Sequence, residues 1–403
     1  MRILFIDDYA RRLGGVSAYL ANLLPALKAR GHAVGLCGPV GTRNLLREHV
    51  ISEYLSNPLG WSECGRALWS LCSPLGAVKV RKALAEFRPD VVHLGGCTSH
   101  LGLAWVKALE QVPTVYRAHN YELVRPEQAL YARDLNQRNC DGQAGWICVA
   151  VGCRPLWKQP ADRLMQWMSR RAQRWIDRVV AASTALVESL RRTGWANTTY
   201  LPLGVPLGEF QEGRRGQVII YVGRLSPEKG VQVLLRAMPL VLRRLPNCQA
   251  WLAGDGRLRG QLMRQAKKLG VSESVRFLGP VGYGQLPSLH AGAGALVAPS
   301  VCAESFGLSV AEAQAWGTPV IASDVGGLAE LVRDRETGLL CRPNDPQDLS
   351  DRMVEILTDT ALARALARNA RTFAERHLSF DVHADRLLET CQQVADSRPS
   401  LRQ

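Results

Sequence analysis

Short apolar runs alternate with amphipathic helical stretches along this chain, and the alternation lapses once and then begins again. "RILFID" has the composition of a buried strand. "VSAYLANLLPALKARG" repeats its apolar residues at helical spacing and is closed by Gly31, and "HAVGLCG" returns to strand character. "PDVVHLGG", "VPTVYRAHN" and "DRVVAAS" continue the pattern, with helical material between them. Strands separated by helices predict a parallel, doubly wound sheet. Around "YLPLGVPLGEFQEGRRG" prolines and glycines cluster and the periodicity lapses. It restarts with "QVIIYVGR", "VQVLLRAMPLVLRRL", "CQAWLAGDG", "RLRGQLMRQAKKLG", "SVRFLG", "ALVAPS" and "TPVIASD". The expectation is an α/β protein of two Rossmann-like domains facing a central cleft, the default place for a ligand. Residues 1–203 form the first domain and 204–380 the second, while 381–403 form a C-terminal helix expected to pack back on the first.

The chain's 403 residues suit two cores of this kind, and 47% hydrophobic with 21% charged residues is a globular balance. "MRILFIDDYA" reaches two aspartates too soon for a signal peptide, and no window approaches ~18 uninterrupted apolar residues. The expected location is cytoplasmic. Eleven scattered cysteines do not make the framework of a small secreted domain. A formal net charge of +14 favours anionic partners: phosphorylated small molecules, an anionic membrane surface or nucleic acid. Neither zinc-finger spacing nor an aromatic RNA-binding signature is present, so nucleic acid is not expected.

Ligands of doubly wound sheets sit beyond the carboxyl ends of strands, which directs attention to three loops of the second domain. "GRLSPEKG" places Arg224 and Lys229 where both can turn to one anion, with Gly223 and Gly230 allowing the backbone to bend. "GDG" carries Gly254. "PSVCAESFG" feeds a helix that starts near Leu308 and closes at Gly317, and a helix N-terminus offers unpaired N–H groups to phosphate oxygens. Glu312 lies about one turn into that helix, where its carboxylate can accept two ribose hydroxyls. Glu304 stands on the far side of the turn. Each loop taken alone also fits a solvated surface segment; the set together fits a nucleotide-sugar.

"GRLSPEKG", "LAGDG", "VRFLG", "APSVCAESFGLSVAEAQAWGTPVIASDVGGLAELV" and "ETGLL" together resemble the donor domain of family 4 retaining glycosyltransferases, which have the GT-B architecture. The resemblance implies that Arg224 and Lys229 neutralise the leaving diphosphate and that Glu312 holds the ribose. It implies that Glu304 and the backbone of Phe306, Gly307 and Leu308 contact the donor sugar and phosphate. In the first domain it implies a glycine turn at Gly14 and Gly15, and a histidine, His119, beside the transferred sugar. A structural strand-end histidine is the competing reading of His119. No cofactor is implied beyond the nucleotide-sugar donor, either a UDP-sugar or GDP-mannose, and the acceptor class is a saccharide or a lipid-linked oligosaccharide.

Breaking a sugar–diphosphate bond builds negative charge on phosphate and positive charge on the anomeric carbon, so fixed cations and a helix end are suited to it. No Asp-x-Asp pair occurs in the sequence, and the implied reaction is metal-independent, with the leaving phosphate taking the acceptor's proton. Three alternatives stay open. Gly254, Gly256 and Gly260 approach a dinucleotide-binding fingerprint, but Glu273, the acid at the right distance, precedes its strand. A sugar-nucleotide 2-epimerase and a non-catalytic nucleotide-sugar-binding protein share the architecture.

Two further features fall outside this scheme. Cys140, Cys148 and Cys153 offer three thiolates where structural zinc normally takes four ligands, so free thiols or a local disulfide are preferred to a metal. In "RPLWKQPADRLMQWMSRRAQRWIDRVV", Leu164, Met168, Trp175 and Val179 fall on one helical stripe, and Arg163, Arg170, Arg174 and Arg178 on another, with Trp157 and Trp167 nearby. This pattern raises the expectation of peripheral binding at the inner face of the cytoplasmic membrane. The competing reading is a helix whose apolar stripe is core.

Overall fold

β-branched and aromatic runs become strands wherever both faces can be covered. A computed structural model describes residues 1–7, 15–39, 46–54, 74–95, 104–123, 130–131, 167, 170–210 and 216–398. Two compact units emerge. The first runs to Gly204 and takes back the chain from Phe380, and the second is built on Val205–Ser379.

The first unit holds seven parallel strands: β1 (Arg2–Asp7), β2 (Ala33–Pro39), β3 (Val50–Tyr54), β4 (Val91–Gly95), β5 (Thr114–Ala118), β6 (Arg178–Ala181) and β7 (Thr198–Tyr200). They lie in the order β3-β2-β1-β4-β5-β6-β7. Helix α1 (Gly15–Ala29) buries Tyr19, Leu20, Leu23, Leu24 and Leu27, and Gly31 ends it at φ +81°. Helix α2 (Pro74–Phe87) leads to β4, and α3 (Thr184–Arg192) is capped by the Ser183 side chain accepting from the Leu186 N–H at 3.2 Å.

The second unit repeats the plan with β8 (Val218–Val222), β9 (Gln249–Ala253), β10 (Val275–Gly279), β11 (Ala295–Ala298), β12 (Val320–Ser323) and β13 (Leu339–Cys341), ordered β10-β9-β8-β11-β12-β13. The order reverses beside β8 and β11, so the switch point that favours ligands lies between the loops following those two strands. Its helices are α4 (Val231–Leu242), α5 (Arg259–Lys268), α6 (Leu286–Ala291), α7 (Leu308–Ala315), α8 (Gly327–Leu331), α9 (Pro346–Thr358) and α10 (Thr360–His377).

The last helix, α11 (Phe380–Ser397), belongs to the first unit. Its Ala384, Leu387, Cys391 and Val394 are buried in the core formed by β1, β5 and α1. His383 is locked there between the Tyr19 hydroxyl and the Pro202 carbonyl, each at 2.7 Å.

The basic stripe of the sequence reading is corrected in part. Arg178 and Val179 are not helical: a 3-10 turn covers Gln173–Trp175, Ile176 is extended, and β6 begins at Arg178, paired with Val115 of β5. The consecutive β-branched residues Val179 and Val180 fill a central strand, and that burial overrides helical spacing. Arg163, Leu164, Met168 and Trp157 lie outside the described residues, as do Cys140, Cys148 and Cys153. Trp167 is exposed, with the Arg171 guanidinium 4.9 Å above its ring. Among the described residues no helix is long and apolar enough to cross a membrane.

Candidate active site

In the second unit the loops after β8, β9 and β11 meet through glycines. A side chain at Gly254 would put its Cβ 1.8 Å from the Gly223 carbonyl oxygen, and one at Gly256 would come 2.5 Å from that of Leu225. Gly230 has φ +68°, and a Cβ there would lie 1.7 Å from the Pro299 carbonyl oxygen. Gly223, Gly254 and Gly256 thus stack loop on loop. This accounts for Gly254 and Gly256 of the near-fingerprint without a dinucleotide, and Glu273 lies in a turn ahead of β10.

The packing brings Lys229 to Glu304. The Lys229 ammonium donates to Oε1 and Oε2 of Glu304 at 2.7 and 2.8 Å, and the Ser300 hydroxyl donates to Oε1 at 2.5 Å. Burial alone would raise the Glu304 carboxyl, but Lys229, Ser300 and Arg224 together hold it below the usual range. Arg224 takes another course. Its side chain is 76% exposed and lies 3.6 Å from Glu228, a carboxylate that accepts from Ser226 at 2.5 Å.

Glu304 is fixed from behind as well. The Gly327 N–H donates to the Glu304 carbonyl at 2.8 Å. Gly326 takes φ +50°, and a Cβ there would lie 2.7 Å from the same oxygen. The "VGG" before α8 is therefore the backing of the Glu304 loop.

Beyond Glu304 the chain turns at Gly307, φ +106°, into α7, whose first N–H groups have no partner within the helix. Phe306 is buried, and Gly317 closes the far end at φ +68°. Glu312 is 5% exposed, and burial pushes its carboxyl up to about 7, with a hydrogen bond from Tyr283 acting in the opposite direction. Tyr283, in the turn after β10, packs edge-on to Trp316 at 6.5 Å between ring centroids.

In the first unit His119 follows β5 at the carboxyl edge of the sheet, and its Nε2 lies 3.6 Å from Oδ2 of Asp7 at the end of β1. Gly15 opens α1; Gly14 is outside the described residues.

Of the residues singled out in the sequence, the structure brings Lys229 and Glu304 together, leaves Arg224 exposed and buries Glu312; their partners Ser300 and Tyr283, and Asp7 beside His119, are not signalled as candidates there. Ser300 is within reach of the strand-end argument, since it stands two residues beyond the end of β11. Tyr283 carries no such signal, because its relation to Glu312 exists only once β10 and α7 are adjacent.

Comparison with known proteins bears on this arrangement. The family model described as "Glycosyl transferases group 1" matches residues 209–373, and "Glycosyltransferase Family 4" matches 13–209. A D-inositol 3-phosphate glycosyltransferase of Salinispora arenicola is 32% identical over 84% of this chain and 77% of its own length. One from Actinosynnema mirum is 38% identical over 55% of this chain, which spans 58% of that relative. A phosphatidyl-myo-inositol mannosyltransferase of Mycobacterium tuberculosis is 28% identical over 98% of both chains. Among solved structures, the sucrose-phosphate synthase of Thermosynechococcus elongatus superposes with a TM-score of 0.77 at 23% identity, covering 98% of this chain and 100% of that one. Anabaena HepE in complex with UDP-glucose gives 0.72 at 22% identity, with 98% and 100% covered. The chain belongs to family 4 of the glycosyltransferases and is a glycosyltransferase of the GT-B architecture.

Proposed function

We propose that the protein transfers a sugar from a nucleoside diphosphate donor to a hydroxyl of a saccharide or lipid-linked acceptor, with retention of anomeric configuration and without a metal ion. The observation that carries this reading is the Lys229–Glu304–Ser300 cluster beside the N-terminus of α7, at the switch point of the second sheet. In the reaction the bond from the anomeric carbon to the phosphate oxygen breaks, and its electron pair stays on the diphosphate. The acceptor oxygen forms the new bond on the same face, and its proton passes to the departing phosphate oxygen. Lys229, Arg224 and the α7 N–H groups stabilise the charge that grows on the diphosphate. Glu304 holds hydroxyls of the sugar, Glu312 holds the ribose, and His119 faces the transferred sugar. The two glutamates thus grip the donor and need not act as an acid and base.

UDP-sugars and GDP-mannose are both suitable donors. The HepE complex contains UDP-glucose, and the mycobacterial relative is named for phosphatidyl-myo-inositol, an acceptor that carries a lipid. Peripheral attachment to an anionic membrane fits a lipid-linked acceptor, the net charge of +14 and the exposed Trp167 with Arg171 above it. A panel of nucleotide-sugars tested by thermal shift and donor hydrolysis identifies the donor. Lys229→Ala and Glu312→Ala should each remain folded and lose most turnover of the donor so found. Full activity in both variants would refute this assignment of the site.

A further inference from the structure

The carboxyl edge of the first sheet holds a side-chain arrangement around His119 in which Asp7 has no part in the donor chemistry above. Asp7, Gly95 and Arg117 stand in one row across the adjacent strands β1, β4 and β5, and His119 is two residues beyond Arg117. Asp7 and His119 are both buried, with side chains 4% and 7% exposed, and Oδ2 of Asp7 is 3.6 Å from Nε2 of His119. They meet directly over Gly95. A Cβ on residue 95 would lie 2.1 Å from Oδ2 of Asp7 and 3.1 Å from Nε2 of His119, so the pair fits only where the middle strand has no side chain. The Tyr19 ring stands edge-on to the imidazole at 6.2 Å, and the Tyr19 hydroxyl is tied to His383. A carboxylate and an aromatic ring both border the imidazole.

From this geometry we infer that Asp7 is a positioning residue for His119: its carboxylate turns Nε2 inward, selects the tautomer with hydrogen on that nitrogen and fixes the plane of the ring. A histidine imidazole presents different chemistry at its two nitrogens, and the partner of one decides what the other offers. A buried carboxylate 3.6 Å away favours a ring hydrogen pointing at it over a lone pair. Gly95 is the second part of the device, because it leaves the space in which carboxylate and ring meet. The significance of the device for turnover rests on the reading that His119 faces the transferred sugar; its effect on the imidazole does not.

The test uses the full chain with nitrogen-15 in its histidines, the His119 signals being assigned with His119→Gln. In the parent, His119 should appear as the Nε2–H tautomer. Asp7→Leu, which removes the acceptor but keeps the bulk, should abolish that preference and lower kcat by on the order of tenfold to a hundredfold, the scale of a misplaced reacting group. Asp7→Asn keeps an oxygen that can accept from Nε2–H and should recover much of both. Gly95→Ala displaces the carboxylate without altering it and should reproduce Asp7→Leu, which keeps the inference testable should Asp7→Leu fail to fold. An unchanged His119 tautomer in Asp7→Leu or in Gly95→Ala would overturn it. Control of the tautomer by Asp7, together with an unimpaired His119→Gln enzyme, would support the positioning and refute the placement of His119 at the sugar.

Discussion

Glu312 shows how a buried carboxyl opposes the stability of its own unit. Burial raises its carboxyl to about 7, against an ordinary value near 4.5. Between those values the folded chain binds more protons than the unfolded one, so this group makes stability fall as pH rises from 4.5 to 7, and the loss is complete above about 7. The size is on the order of a few kcal/mol. Glu312→Gln should therefore melt higher than the parent at pH values above 7, with the gain vanishing below about 4.5, while losing affinity for nucleoside diphosphate. Calorimetry at the two pH values, paired with titration calorimetry of UDP and GDP, checks both halves. At this scale much was legible. Glu304, Glu312, Arg224 and Lys229 could be singled out as candidates because a strand end and a helix start are visible in sequence. What could not be read is partnership across elements: that Lys229 spends its charge on Glu304 while Arg224 stays exposed depends on how the β8 and β11 loops pack through Gly230.

The elements place these residues, and they fail in predictable ways when altered. Gly327→Ala would bring a Cβ 2.9 Å from the Phe306 Cα, forcing apart the loop that carries Glu304 and the start of α8. Overpacking against backbone costs about 1–3 kcal/mol, and the displaced Glu304 should lower kcat/KM for the donor more than the stability loss alone explains. Thermal melts alongside donor kinetics separate the two effects. Helix α11 gives a second case: Leu387, Cys391 and Val394 are all within 1% of full burial in the first core. Each large apolar side chain of this kind contributes about 1.5–3 kcal/mol, so truncation before Phe380 should leave the first unit unfolded, with loss of its calorimetric transition. Three strands that periodicity missed, β3, β7 and β13, are short and lie at sheet edges. An edge strand has one neighbour and a partly wet face, so "TTY" and "VISEY" carry none of the continuous apolar signal that exposed β1 and β8. The helical stripe drawn through Arg178 and Val179 failed for the opposite reason: a buried central strand was read as a helix face.

For the whole molecule, a charge of +14 makes association with anionic surfaces a quantitative expectation. Each exposed cation near such a surface adds about 1 kcal/mol at low salt, and the contribution is screened as salt rises. The protein should co-sediment with vesicles containing phosphatidylglycerol at low salt, less so at high salt, and not with neutral vesicles; equal failure on both would remove the membrane from the account. The central claim concerns the reaction itself. It is tested most directly by following, with proton NMR in the presence of EDTA, the anomeric configuration of the product formed from an α-linked nucleotide-sugar. The account predicts undiminished turnover and an α-linked product at first appearance. A β-linked product, or activity abolished by the chelator and restored by a divalent cation, would contradict it.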